Sequence, residues 1–303
     1  MTTLLITGAR GQLGTDLLAA AATAGLNATG LGSAELDITD AAAVGRAVRD
    51  WAASTGGERA VLLNAAAYTA VDAAETDRER AFAVNATGPG NLAAAAAAVG
   101  AGLIHVSTDY VFPGDADRPY EIDDPTGPRS VYGASKLAGE QAVLDAHEHA
   151  HVVRTAWVYG ANGSNFVRTM AKLEQSHPTV SVVDDQLGSP TWSADLATGL
   201  LELAEADVPG GVLHATNAGS TTWYGLARAV FEELGTDPER VLPTTTAQFR
   251  RPAHRPAYSV LSPEAWAAAG LRRLPPWREA LAAAFSRHRD DFLPAVSAHP
   301  YSP

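Results

Sequence analysis

The run Leu4-Leu5-Ile6-Thr7-Gly8-Ala9-Arg10-Gly11-Gln12-Leu13-Gly14 constrains this 303-residue chain more than any other stretch. A short apolar strand runs into three spaced glycines, and an alanine-rich helical pattern follows. Gly8 permits a tight turn, Gly11 lets backbone approach a pyrophosphate, and Gly14 allows close helix packing. The start of the helix offers unpaired N–H groups to an anion. Leu4 to Thr7, Val61 to Leu63, Leu103 to Ser107 and Val152 to Trp157 read as buried strands. Gly14 to Ala24, Ala41 to Ala52 and Asn91 to Val99 read as the helices between them. This alternation predicts an α/β fold, a doubly wound parallel sheet covered by helices.

Residues 1–160 are expected to form a dinucleotide-binding domain, and 161–303 a smaller lobe after the Asn, Gly and Pro cluster beyond Gly160. The helix-like Trp192 to Ala204 and strand-like Gly211 to Thr216 suggest that about 192–216 returns to the first domain. Leu293 to Pro303 reads as a frayed tail. The chain has no cysteine, which excludes disulfides and thiolate metal sites and fits a reducing compartment. A net charge of -12 argues against nucleic acid or an anionic membrane as partner. No apolar run reaches bilayer-spanning length, and the first residues read as a strand without a basic leader, so a cytoplasmic location is expected.

Tyr132 and Lys136 lie four residues apart, which on a helix places them on one face. A free phenol titrates near ~10, too high for efficient proton exchange at neutral pH. A unit charge at ~4 Å and effective dielectric ~20 contributes about 4 kcal/mol, roughly a thousandfold in favour of phenolate. Alone, such a pair also occurs on ordinary solvated helix faces. His147-Glu148-His149-Ala150-His151 resembles a metal tract, but its spacing spreads around a helix, and a solvated helix end is expected.

The end of the strand that follows the first helix, Thr29-Gly30-Leu31-Gly32-Ser33, carries no acid to bind a ribose 2′-hydroxyl. Ser33 and Arg10 suit a 2′-phosphate, so NADPH is favoured, while Glu35 leaves NADH open.

Gly-x-x-Gly-x-x-Gly, Asn64-Ala65-Ala66-Ala67-Tyr68-Thr69-Ala70-Val71-Asp72, Ser107-Thr108-Asp109-Tyr110-Val111-Phe112, Tyr132 through Glu140 and Arg154-Thr155-Ala156-Trp157-Val158-Tyr159 occur in order. Asn165-Phe166-Val167, Asp185 to Thr191, Thr221-Thr222-Trp223-Tyr224 and Arg255 to Leu261 continue the series. Together they resemble the dTDP-4-dehydrorhamnose reductase family of the extended short-chain dehydrogenase/reductase superfamily. The resemblance covers nearly the whole chain.

It implies a Rossmann-type domain with a C-terminal substrate-binding lobe, and NADPH reduction of a dTDP-linked 4-keto-6-deoxysugar. Thr108, Tyr132 and Lys136 would be catalytic. Gly8, Arg10, Gly11, Gln12, Leu13, Gly14, Ser33, Asp37, Ile38, Ala65, Ala66, Ala67, Tyr132 and Lys136 would meet the cofactor. Thr108, Asp109, Tyr110, Trp157, Asn165, Phe166 and Arg255 would meet the substrate. Asn85 would either support a water relay or cap a helix. The family's divalent ion at a dimer contact does not carry over, because Asp16 and Ala194 stand where its glutamates would be, so no metal ligand is assigned. A homodimer is expected from resemblance alone. Two alternatives stand beside this reading: a reductase of another dTDP-4-keto-deoxysugar in secondary metabolism, and a non-catalytic nucleotide-binding regulatory subunit like that of methionine adenosyltransferase.

Overall fold

The computed structural model describes residues 2–293. Six strands form one all-parallel sheet: β1 (Thr2–Thr7), β2 (Asn27–Leu31), β3 (Arg59–Asn64), β4 (Gly102–Thr108), β5 (His151–Thr155) and β6 (Gly211–His214). Their spatial order is β6-β5-β4-β3-β1-β2, so the winding direction reverses between β1 and β3. Ligands of such sheets bind at this reversal, outside the carboxyl ends of the strands.

Helices cover both faces. On one side α1 (Gln12–Ala24) packs with its later neighbour Ser193–Glu205; on the other lie α2 (Ala41–Ser54), α3 (Gly88–Ala98) and α4 (Val131–Ala146). Each face buries its own apolar cluster, Leu4, Ile6, Leu17 and Leu200 on the first and Leu5, Leu62, Val44 and Leu92 on the second. The alternation of Leu4, Leu5 and Ile6 explains why β1 is apolar throughout: both faces are covered.

A third cluster forms the second lobe, around α5 (Phe166–Ser176), α7 (Trp223–Leu234) and α8 (Trp277–Phe292); α6 (Ser193–Glu205), the helix against α1, touches it only at its start. Short paired strands edge the lobe, Val180–Val183 with Val241–Thr244 and Leu187–Gly188 with Thr221–Thr222. Thus α6 lies on the first domain's sheet and β6 pairs in parallel with β5, although both follow α5 in sequence.

Two sequence expectations change, and a third falls outside the described residues. The strand expected to reach Trp157 stops at Thr155, because Trp157 takes a left-handed conformation at φ 48°. The expected solvated histidine end is mostly interior: His147 and His151 are buried, and their Nε2 atoms meet the carbonyls of Ala101 (2.8 Å) and Val208 (3.1 Å). Beyond Leu293 the expected frayed tail lies outside the described residues. No helix among the described residues is long and apolar enough to cross a membrane.

Candidate active site

The glycine loop closes by backbone contact. Gly8 has φ 72°, and a Cβ there would stand 2.5 Å from the nitrogen of Ala66. At Gly14 a Cβ would stand 2.2 Å from the Gly8 carbonyl oxygen. A Cβ at Gly11 would meet only that same oxygen, at 3.2 Å, a tight contact but a far milder one than at Gly8 or Gly14. Gly11 precedes α1 without a side-chain cap, leaving the helix's first amides without a capping side chain. A bare backbone facing the cleft between β1 and β3 is what a pyrophosphate needs, and the loop fits a dinucleotide.

The other cofactor candidates divide. Ala65 continues β3, its N–H bonded to the Thr7 carbonyl at 3.1 Å, and Ala66 and Ala67 follow half-buried beside the cleft. Asp37 is exposed and turns its carboxylate onto the Thr39 amide and hydroxyl, whereas Ile38 is buried in the core. Ser33 is exposed. Arg10 is paired with Glu35 at 2.9 Å, and Glu35 also accepts from the Gly32 amide at 2.8 Å. These bonds hold the Glu35 carboxyl below its ordinary range, the Arg10 bond first among them. Leu13 is buried in the core. Gln12 differs from expectation: its side chain spans the lobes, donating to the Val158 carbonyl at 3.1 Å and accepting from Asn165 at 2.8 Å.

Thr108 ends β4. Its hydroxyl donates to Asp109 Oδ1 at 2.9 Å and accepts from the Tyr110 amide at 3.2 Å, so it also caps the turn Asp109–Val111. Asp109 is buried, its Oδ2 has no hydrogen-bond partner, and burial pushes its carboxyl up to about 6. Tyr110 packs edge-on against Tyr132, with centroids 5.5 Å apart.

Tyr132 and Lys136 occupy consecutive turns of α4, whose Ser130 cap accepts from the Gly133 amide at 3.1 Å. Gly133 lets the helix approach the turn after β4, since a Cβ there would stand 2.3 Å from the Tyr110 carbonyl oxygen. Glu140 further along α4 binds Arg154 of β5 at 2.7 Å and accepts from Ser107 of β4, which fixes the helix on the sheet.

The expected electrostatics are altered. Lys136 Nζ bonds to the Val106 carbonyl at 2.7 Å and lies 3.3 Å from His105 Nε2. Burial, first among the causes, pushes the Tyr132 phenol up to about 12, with the neighbouring Thr108 hydroxyl acting the other way. Burial likewise lowers Lys136 to about 8, with Glu140 pulling the other way. The helical spacing is present, but the ammonium's partners are on β4, and burial rather than the ammonium governs the phenol.

Asn85 neither caps a helix nor stands free. It sits in the wide turn Ala83–Thr87, accepts from the Tyr68 amide at 2.8 Å, and donates to the Tyr68 carbonyl and Ser135 hydroxyl, both at 3.0 Å.

In the second lobe a cavity of about 690 Å³ is lined by Asp72, Phe166, Trp223, Arg250, His254 and Arg255, among others. Arg255 pairs with Asp72 at 3.0 Å, and its Nη1 is buried without a hydrogen-bond partner. Phe166 tilts against Trp223, and Trp223 stacks on Trp157 with centroids 3.5 Å apart. One face of Trp157 is therefore already covered by protein. Asn165 departs from its expected role: its oxygen caps α5 and its amide nitrogen donates to Gln12 and the Gly160 carbonyl, leaving no hydrogen for a ligand. Asp72, Trp223 and Asn64 lie in the recognised motifs without an assigned part; His105, inside an apolar strand pattern, gives no sequence signal of its contacts with Asn64 and Lys136. Among the described residues no cluster of three or more His, Asp or Glu is placed to share a metal ion.

The family model of the RmlD substrate binding domain matches residues 1–289. The chain is 56% identical over 288 residues to a dTDP-4-dehydrorhamnose reductase of Mycobacterium tuberculosis, covering 93% of this chain and 92% of the relative. It is 50% identical over 282 residues to a probable dTDP-4,6-dihydroxy-2-methyloxan-3-one 4-ketoreductase of Streptomyces antibioticus, covering 93% and 94%. Its fold matches a crystal structure of dTDP-4-dehydrorhamnose reductase from Bacillus anthracis in complex with NADP, at TM-score 0.89 and 37% identity, over 95% of this chain and all of that one.

Proposed function

The chain belongs to the RmlD substrate binding domain family, and on that premise we propose that it uses NADPH to reduce the C4 keto group of dTDP-4-dehydro-L-rhamnose, giving dTDP-L-rhamnose. The observation that carries this reading is the Thr108 hydroxyl at the end of β4 beside Tyr132 on α4, the helix that carries Lys136 one turn on and is held to the sheet by the Glu140–Arg154 pair.

When bound, the cofactor supplies the hydride. Gly8, Gly11 and the start of α1, including the Gln12, Leu13 and Gly14 amides, would hold its pyrophosphate; Ala65, Ala66 and Ala67 would wall the cleft. Arg10 and Ser33 would meet the 2′-phosphate, with Glu35 as the residue that admits NADH, and Asp37 and Ile38 would border the adenine. Lys136 would hold the nicotinamide ribose hydroxyls. As negative charge develops on the sugar oxygen, Tyr132 donates a proton to it. The Thr108 hydroxyl would turn from Asp109 to the same oxygen and stabilise the charge where it forms. Tyr110 and the stacked Trp157 and Trp223 would wall the sugar, and Phe166 the nucleotide. Arg255, with one buried nitrogen free, would take a diphosphate oxygen. Asn165 would act by tying the lobes together.

Retention of all three reacting side chains in one place favours catalysis over a regulatory subunit. A competing substrate is specific: the Streptomyces antibioticus relative is named for a different 4-ketosugar. Supplying both ketosugars with NADPH or NADH and identifying the products decides between them. Faster reduction of the other sugar would transfer the assignment, and no turnover with either would remove it. The same reading includes a cytoplasmic homodimer, for which light scattering of the purified protein reads the oligomeric part.

A further inference from the structure

Four side chains form a buried polar chain beneath the cleft. Thr7 Oγ1 donates to Asn64 Oδ1 at 2.8 Å, and the Ala66 amide donates to the same oxygen at 3.0 Å. Asn64 Nδ2 lies 2.9 Å from His105 Nδ1, and His105 Nε2 lies 3.3 Å from Lys136 Nζ. None of the four residues is more than 2% exposed.

The direction of these bonds follows from the donor inventory. A backbone N–H only donates, so Ala66 sets the Asn64 oxygen on its own side and turns the amide NH₂ toward His105. His105 Nδ1 must then accept, and the neutral ring carries its proton on Nε2, facing Lys136. An ammonium there opposes donor to donor, whereas a free amine accepts from the ring. The Val106 carbonyl takes one Lys136 hydrogen in either state.

We propose that His105, held in its Nε2–H tautomer by Asn64, is a positioning residue that favours the free amine of Lys136 and so sets the pH range over which Lys136 is charged. Burial acts in the same direction, lowering Lys136 to about 8 and His105 well below its ordinary value. The opposing group is Glu140 on α4, whose carboxylate is already engaged by Arg154 from β5 and Ser107 from β4. Asp109 in the turn after β4 acts on Tyr132 and bonds Thr108. Tyr132, one turn before Lys136 on α4, completes the titratable groups around this end of the helix.

The consequence for turnover rests on the reductase reading, but the tautomer does not. The test uses full-length protein labelled with ¹⁵N-histidine, the His105 signals being identified by their loss in His105→Gln. The wild type is expected to show a neutral ring protonated at Nε2 across pH 6–9, and a proton on Nδ1 would overturn the proposal. Asn64→Asp supplies the second arm: its carboxylate keeps the Thr7 and Ala66 donors and accepts from Nδ1–H, which reverses the ring and lets Nε2 accept from the ammonium. Its alkaline limb of kcat should move up by about one pH unit with cofactor affinity retained. A folded Asn64→Asp protein whose limb does not move would overturn the proposal; should it fail to fold, the wild-type tautomer decides alone. Absence of turnover in the wild type counts against the reductase reading and leaves the tautomer measurement intact.

Discussion

At the end of β1 the contacts that matter are backbone on backbone: Gly8 against Ala66, and Gly14 against the Gly8 carbonyl. In the second lobe the cavity is shaped by side chains drawn from far apart in sequence, with Asp72 holding Arg255 and Trp157 stacked on Trp223. The first site is set by rigid backbone around Gly8 and Gly14, where an added carbon has no room. The second is assembled by tertiary packing, so its members can change singly while the cavity persists. One region suits a ligand part that stays the same, a pyrophosphate; the other suits a part whose identity has to be selected.

This contrast can be broken first at Gly14. Gly14→Ala should abolish measurable cofactor binding and destabilise the fold by about 1–3 kcal/mol, because the added carbon meets rigid backbone; calorimetry and cofactor fluorescence read the two losses together. Arg255→Ala should raise the substrate KM by about 10- to 100-fold through the lost charge-assisted hydrogen bonds, with kcat and cofactor affinity near wild type. An equal loss with and without the diphosphate group would detach Arg255 from it. Gly11→Ala sharpens the comparison within the loop itself: cofactor affinity should fall by about tenfold while the melting temperature falls far less than in Gly14→Ala, since the added carbon meets a single carbonyl oxygen at 3.2 Å. The smallest effect is expected at the exposed Arg10–Glu35 pair. Glu35→Ala should raise the preference for NADPH over NADH a few-fold by freeing Arg10 for the 2′-phosphate, and an unchanged ratio would place the selection elsewhere.

The same contrast explains what could be read from the chain. The glycine loop and the alternating strands follow local rules, and Leu4, Leu5 and Ile6 announce a sheet covered on both faces. The Tyr132 and Lys136 spacing was visible because helical periodicity is local too. Their electrostatics were not, since the partners of Lys136, His105 and the Val106 carbonyl, come from a strand 30 residues earlier and look there like ordinary core. Asn165 and Gln12 were assigned to ligands by motif, yet they bond to each other, 153 residues apart. Nothing in either segment marks that pairing. The reversal of Trp157 to φ 48° likewise answers to Trp223 and to Gly188, where a Cβ would stand 2.4 Å from the indole.

The central claim is that both regions serve one proton donor, Tyr132, acting on the sugar oxygen. Tyr132→Phe keeps the buried ring that packs against Tyr110 and removes only the hydroxyl. Single-turnover reduction of dTDP-4-dehydrorhamnose, measured beside NADPH affinity, should show affinity within about twofold of wild type and a rate lower by about 10²- to 10⁴-fold. A near-normal rate in that variant would contradict the account and move the acid to another group.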